Sequence, residues 1–425
     1  MRQRISAARK LEGETHVPGE RDQAALALLL AAVAEGESEV DNLPRGSERL
    51  ISWLQSAGIE TRRTNSSVAI RGAGPHALSG IEGLVDLTDT GTAALPALAL
   101  LAGQGIPLRA RIPAAQQESC TRLLELLGRM GAAGRLEAGV VGFDRGDGLK
   151  GAVHAETDLE APVKLALLIA GLYGKGPTEV REPASSRDRV DELLERRGAA
   201  VSRSRRDGAR AIAVEGGAHL RGDRVSVPGE LRLALPLVVA ASSLKGSKVR
   251  IGNLELRSPQ RPFLDLLRQI GGDTAVEEGD GAADLVVAAA RLKGTRVAGS
   301  RSERLLDQME MLAVLATQAA GEFIIRDIAS LRQGDFDRVA HLVSALRRIG
   351  AKVGEYPEGI VIDGGRPLTG DEVDCRNDSG LAMAFAAAGL VADGEMVLAD
   401  SGCLQNEFPG FCDLLQALQV KKKES

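Results

Sequence analysis

The stretch VPGERDQAALALLLAAVAEG, Val17 to Gly36, sets Glu20, Arg21 and Asp22 between a Pro18-Gly19 turn and an Ala/Leu run that closes at Gly36. A turn that delivers charges to a helix N-terminus is a natural anion site, because free backbone N–H groups and the helix dipole both favour negative charge there. Two of these three charges are themselves negative, so the loop has the scaffold of an anion site with the wrong sign of side chain. A second charged stretch, Asp335-Phe336-Asp337-Arg338, precedes an apolar-striped helix. Asp in a first helical turn caps and pairs there without needing a ligand. Other chemistry is sparse. Cys120, Cys375, Cys403 and Cys412 show no CxxC spacing and the five His are scattered, so the thiols read as buried and reduced and no metal or cofactor is expected.

The elements that must position these residues are repetitive. An Ala/Leu-rich helical run, a Gly and a short β-like stretch recur six times: LALLLAAVAEGESEV, PALALLAGQGIPLRARI, KLALLIAGLYGKGPTEV, LALPLVVAASSLKGSKVRI, LAVLATQAAGEFIIRDI and MAFAAAGLVADGEMVLA. The recurrence, roughly every 70 residues, is longer than the periods of about 20 to 50 typical of solenoids, so each repeat is a small folding unit. In the first five, an amphipathic helix follows and closes in Gly, as in LISWLQSAGIET and LVSALRRIGAKV; a final helix, FCDLLQALQV, follows the sixth. Each unit reads β-α-β-α-β-β, with one helix apolar nearly all round and one apolar on a single stripe. Three such units would pack their apolar helices inward and leave sheets outside, so six make two domains. VSVPGELRLALPL, Val225 to Leu237, echoes the opening HVPGERDQAALAL, and the two Pro-Gly turns are expected to be the crossings. The expected domains are 1–17 with 229–425, and 18–228, with a ligand cleft between them.

Composition bounds the partners. The 425 residues are 44% apolar and 26% charged, with net charge −5 and only 2% aromatics, which excludes an aromatic base-stacking surface and argues against nucleic acid. The start MRQRISAARKLEGE has no apolar signal core, and no apolar run is long enough to span a bilayer. A cytoplasmic monomer acting on a small molecule, without nucleic acid or membrane, is the expectation.

The motifs carry a resemblance over essentially the whole chain. VPGERDQAALALLLAAVAEG resembles LPGSKSxxNRALLLAALAxG of the enolpyruvyl transferases, specifically the EPSP synthase (3-phosphoshikimate 1-carboxyvinyltransferase) family. LTDTGTAALPALALLAG resembles its LxNAGTAMRPLxALLA, EPASSRDRVDELLERRGA its EPxxSRDHTExML.xFGA, and LLDQMEMLAVLAT its MIDEYPxLAVAAA. LRQGDFDRVAHLVSALRRIGAKV resembles LRVKESDRLxAxAxxLxxxGAxV, RNDSGLAMAFAAAGL resembles YxDHRMAMAFAVAGL, and FPGFCDLLQAL resembles FPxFFxxLxxL. The resemblance implies a two-domain inside-out α/β barrel of six units, three per domain. It also implies transfer of an enolpyruvyl group from phosphoenolpyruvate to the 5-hydroxyl of shikimate 3-phosphate in aromatic amino acid biosynthesis. The UDP-sugar branch is disfavoured, because its reactive Cys loop before the second-unit helix has no match and Cys120 lies inside that helix.

Both implied substrates are polyanions, which calls for a cage of Lys and Arg clamping phosphate and carboxylate oxygens. Carried over position by position, most of that cage is absent. The family's Ser-Lys-Ser becomes Glu20, Arg21 and Asp22, and its Asn-Arg pair becomes Ala25 and Leu26. Its next Asn is Asp89 and the following Arg is Leu95; its Arg-Pro pair is Glu118 and Ser119. Its Ser-Ser-Gln clamp corresponds to Asp158, Leu159 and Glu160, and three further cations fall on Gly334, Gly380 and Asn406. What the resemblance retains is Asp307 as general base, Asp335 as proton donor to the methylene, Arg338 on the phosphoenolpyruvate carboxylate or phosphate, and Ser186 and Arg187 on the shikimate phosphate. Arg21 and Asp22 stand where the family's loop binds substrate.

Each charge-assisted hydrogen bond contributes roughly 1.5–3 kcal/mol, so losing five or six cations removes on the order of 10 kcal/mol. Total enzymatic acceleration is about 8–23 kcal/mol. Three readings therefore stand: a catalytically degenerate or repurposed homologue binding a less anionic or even cationic ligand; a carboxyvinyltransferase with a cage rebuilt from Arg21, Arg187, Arg338 and Arg109 or Arg111; and a structural or regulatory partner. The runs RSRRDGAR and KKKES read as solvated surface.

Overall fold

The computed structural model describes residues 1–421 except 65–66, 79–82, 185–190, 257–260, 280–281 and 334–335. The protein has a two-domain α/β fold. The chain divides into a composite unit, Met1–Pro18 with Pro228–Ser425, and an inserted unit, Gly19–Val227. Each has its own core of Leu, Ala, Val and Ile.

The Ala/Leu runs form helices buried on every face. In the inserted unit they are Arg21–Val33, Ala94–Ala102 and Ala161–Leu172; in the composite unit, Leu231–Ser243, Met309–Gln318 and Ser379–Val391. A helix with no polar face can only satisfy itself by packing against others like it, and within each unit these helices contact one another. The striped helices, such as Gln117–Arg129 and Arg338–Arg348, bury one side. The glycines that close the first five, Gly58, Gly131, Gly198, Gly271 and Gly350, all have positive φ, the conformation a helix C-terminus needs.

The sheets repeat one pattern: two parallel strands, then an antiparallel pair, as in Leu84–Asp86, Leu108–Arg111, Val140–Phe143 and Gly134–Glu137. Two sheets take their first strand from a distant part of the chain. Arg224–Ser226 lies parallel to Glu35–Asp41, and Ala8–Thr15 lies parallel to Lys248–Glu255. The sixth repeat departs from the others, having three strands of which Gln3–Ser6 is one. The last helix is also shorter than its apolar run suggests. It ends at Leu418, and Gln419–Lys421 becomes a strand antiparallel to Ala8–Thr15, because Val420 gains a ladder there opposite Lys10. No helix among the described residues is long and apolar enough to cross a membrane.

Candidate functional site

In the composite unit the site is built on three helix starts. Arg338 opens the helix Arg338–Arg348, whose N-cap is Asp337: its carboxylate accepts from the Ala340 N–H at 2.8 Å and pairs with Arg332 at 2.9 Å. That pairing holds the Asp337 carboxyl below its ordinary range, the capped N–H and Arg332 outweighing the cost of desolvation. Asp337 is thus a cap, as the sequence alone suggested. Arg338 turns the other way, donating from Nη2 and Nε to one oxygen of Glu310 at 2.6 and 3.1 Å. Asp378 lies 3.4 Å from the same guanidinium and caps the helix Ser379–Val391 through the Leu381 N–H at 2.9 Å.

Glu310 is the residue that sequence reasoning missed. Its side chain is 4% exposed on an otherwise apolar helix, and burial pushes its carboxyl above the ordinary range against the pull of Arg338. The signal was present: in LLDQMEMLAVLAT, Glu310 stands where the quoted family pattern has Pro, and a lone charge on an all-round apolar helix must find a partner.

Asp307 is exposed in the turn Leu306–Gln308, one residue before buried Gln308. Both line a cavity of about 170 Å³ with Glu310, Arg338, Asp378 and Gly380. Arg232, also at this wall, pairs with Glu230 at 2.8 Å and with Glu407. A larger recess, about 370 Å³, lies on a sheet face at Ile324, Tyr356 and Val361 and holds none of the expected site residues.

In the inserted unit the donors of the anion scaffold are already taken. Glu20 caps the helix Arg21–Val33, accepting from the N–H groups of Asp22 at 3.1 Å and Gln23 at 2.7 Å. Arg21 is exposed at that helix start. Asp22 reaches across 70 residues to Thr92, accepting from its N–H at 2.8 Å and from its hydroxyl. Gly91, at φ 52°, makes this approach possible: a Cβ there would sit 2.0 Å from Asp22 Oδ1. Ser119 donates to Glu160 at 2.8 Å. Ser186, Arg187 and Asp335 lie outside the described residues.

The geometry therefore brings Asp307 and Arg338 to one cavity, seats Asp22 on a helix start, and leaves Arg21 at the surface. Among the described residues, carboxylates of the chain take the N–H groups of Asp22, Gln23 and Thr92 and pair with Arg338.

The family model described as EPSP synthase (3-phosphoshikimate 1-carboxyvinyltransferase) matches residues 5–415. A 3-phosphoshikimate 1-carboxyvinyltransferase of Synechococcus sp. (strain JA-3-3Ab) is 35% identical over 427 residues, covering 97% of this chain and 96% of the relative. That of Gloeobacter violaceus is 36% identical over 431 residues, covering 97% of both. Among solved structures, EPSP synthase from Acinetobacter baumannii superposes with a TM-score of 0.81 at 24% identity, covering 99% of both chains.

Proposed function

The chain belongs to the EPSP synthase family, and from that premise we propose that it binds a small molecule other than the family's two anionic substrates and does not transfer a carboxyvinyl group between them. The observation that carries this reading is the closure of Arg338 onto Glu310 and Asp378. Arg338 is the arginine that the resemblance assigns to phosphoenolpyruvate, and a substrate carboxylate would have to displace a carboxylate that is already buried beside it. An anion held by Arg338 would lie beside Glu310, Asp378 and Asp307, which line the same cavity.

The inserted unit supports the same reading. Asp22 fills the donors of Thr92, Glu20 fills those of the first helix, and the cations expected at Leu26, Leu95, Gly334 and Gly380 have no replacement at those positions. We take the protein to act as a cytoplasmic monomer. Purified protein given shikimate 3-phosphate and phosphoenolpyruvate at millimolar concentration should release no more inorganic phosphate than its Arg338→Ala variant.

A second reading, an active 3-phosphoshikimate 1-carboxyvinyltransferase, is favoured by the names of relatives at 35–36% identity and by Asp307 and Arg338 sharing one cavity. In that reading Asp307 would accept the proton of the attacking hydroxyl while Arg338 exchanged Glu310 for the substrate. Phosphate release that disappears in Arg338→Ala would establish it and overturn the first.

A further inference from the structure

We propose that His154 is an acid-operated latch: protonation of its ring releases the edge segment 150–158 of the inserted unit while the rest of that unit stays folded. The proposal holds whichever ligand the composite unit takes.

The fold supplies the first argument. Val153–His154 is a two-residue strand at the edge of its sheet, parallel to Thr178–Glu182, with His154 opposite Val180. Val153 is 59% exposed and adds little to the hold. Between the buried Leu149 and Leu159, His154 is the one buried residue. The rest of the attachment is a few hydrogen bonds: the Gly151 N–H to the Lys175 carbonyl at 3.0 Å, the Glu179 N–H to the Ala152 carbonyl at 2.9 Å, and Arg129 to Glu156 at 2.6 Å. The inward grip of the segment therefore comes from a side chain whose charge changes near neutral pH.

The second argument is what surrounds the ring. Neither Nδ1 nor Nε2 of His154 has a hydrogen-bond partner among the described residues. A neutral imidazole is tolerated there, whereas an imidazolium would be a buried charge with two donors and no acceptor. Two charges act on it with opposite sign, Glu156 on its own segment and Arg129 at the end of the helix Gln117–Arg129, and they pair with each other. Arg122 of that helix lies 3.5 Å from Glu156, and the buried Cys120 thiol there is pushed up to about 12 and stays uncharged. On the neighbouring strand and on the helix Ala161–Leu172 the buried charges are Glu182 and Lys164, paired at 2.8 Å. Each carboxylate near the ring thus already has a cation, and burial holds the ring's pKa below its ordinary value.

The sign follows. The folded ring resists a proton that the released ring accepts at about pH 6.5, so release is favoured as pH falls below that value. The segment leads into Asp158 and Glu160, where the resemblance sets its Ser-Ser-Gln clamp, so the latch governs how firmly those positions are held.

Amide hydrogen exchange of the full chain at pH 7.5 and 5.5, corrected for intrinsic rates, tests the proposal. Opening at Gly151 and Glu179 should rise about tenfold at the lower pH, the uptake of one proton by the released ring, while the helix Ala161–Leu172 and the strand Ala209–Val214 keep their protection. His154→Leu, which removes the titration and keeps an apolar anchor, should abolish the rise. No rise in the wild type, the same rise in His154→Leu, or a rise shared by the whole inserted unit would overturn the latch. The wild-type comparison is decisive without the variant, so the test does not depend on the variant folding.

Discussion

The two site clusters satisfy their donors in different ways. In the cluster of the inserted unit the donors are backbone N–H groups at helix starts, and half-buried Glu20 and Asp22 satisfy them from the neighbouring loop, although elsewhere in that unit Arg203 and Arg210 each pair with two carboxylates. In the composite unit the donors are guanidiniums, Arg232 and Arg338, and each needs two carboxylates, one of them the buried Glu310. Arg197 of the inserted unit departs from both patterns. Its side chain is 1% exposed and its three guanidinium nitrogens have no hydrogen-bond partner among the described residues. Burial draws its pKa down, only partly countered by the charge of Asp223.

The internal repeats explain how Arg197 came to be inside. It occupies the position before the closing Gly of a striped helix, where other repeats place Met130, Ile270 and Ile349, all buried. In the first repeat the same position holds the half-buried Ala57, so it faces the core in each repeat. The contrast lies inside one unit: Lys164, buried on an apolar helix, is paired with Glu182 at 2.8 Å, whereas Arg197 is buried with no hydrogen-bond partner among the described residues.

The largest effect should come from Arg197→Met, which restores the apolar residue of the other repeats. Replacing a buried charge that has no hydrogen-bond partner among the described residues with a packed side chain should stabilise by about 1–4 kcal/mol. The thermal midpoint should then rise by roughly 2–4 °C for each kcal/mol. A lowered midpoint would mean that Arg197 is partnered after all, and its contrast with the paired Lys164 would collapse.

Glu310→Gln breaks the comparison from the other side. Losing one partner of a buried pair costs about 3–5 kcal/mol, but the Arg338 side chain is 36% exposed and water compensates, so about 1–3 kcal/mol is expected. The pH dependence has a definite sign. Because the Glu310 carboxyl is raised by burial, the folded state holds its proton longer than the unfolded chain does. The contribution of Glu310 to stability is therefore largest below the unfolded value of about 4.3 and declines as pH rises toward the folded value. The wild-type midpoint minus that of Glu310→Gln should fall across this interval; a rise would mean that Arg338 outweighs burial.

Asp22→Ser should have the smallest effect, about 1 kcal/mol for two lost hydrogen bonds at a helix start. It should also leave the Thr92 donors open to inorganic phosphate, measurable as midpoint stabilisation by phosphate in the variant and none in the wild type. Equal phosphate response in both would mean that Asp22 does not occupy an anion site.

The architecture was largely legible in the chain. All-round apolar runs announce buried helices, and a Gly after each striped helix announces its end, because both signals are local. The site was legible only as a list of absences. The partners of the expected site residues lie across 28 residues for Arg338 and Glu310 and across 70 for Asp22 and Thr92, and no local pattern reports a partner at such distances. The terminal strand Gln419–Lys421 was missed for the same reason, its partner lying at the opposite end of the chain.

Strands borrowed from distant sequence also set a timetable. During synthesis, Ala8–Thr15 emerges early, yet the strand it lies beside begins at Lys248, and the Leu11 N–H bonds to the Ser247 hydroxyl 236 residues later. At ribosomal rates of about 5–20 residues per second, that edge waits roughly 12–50 s without its neighbour. The inserted unit has no such debt to later sequence, because Arg224–Ser226 completes its own first sheet and the Asn42 side chain ties Val227 back to its start. A nascent chain released near residue 230 should therefore already carry one finished domain, with a short unpaired strand ahead of it exposed to chaperones and to other copies of itself.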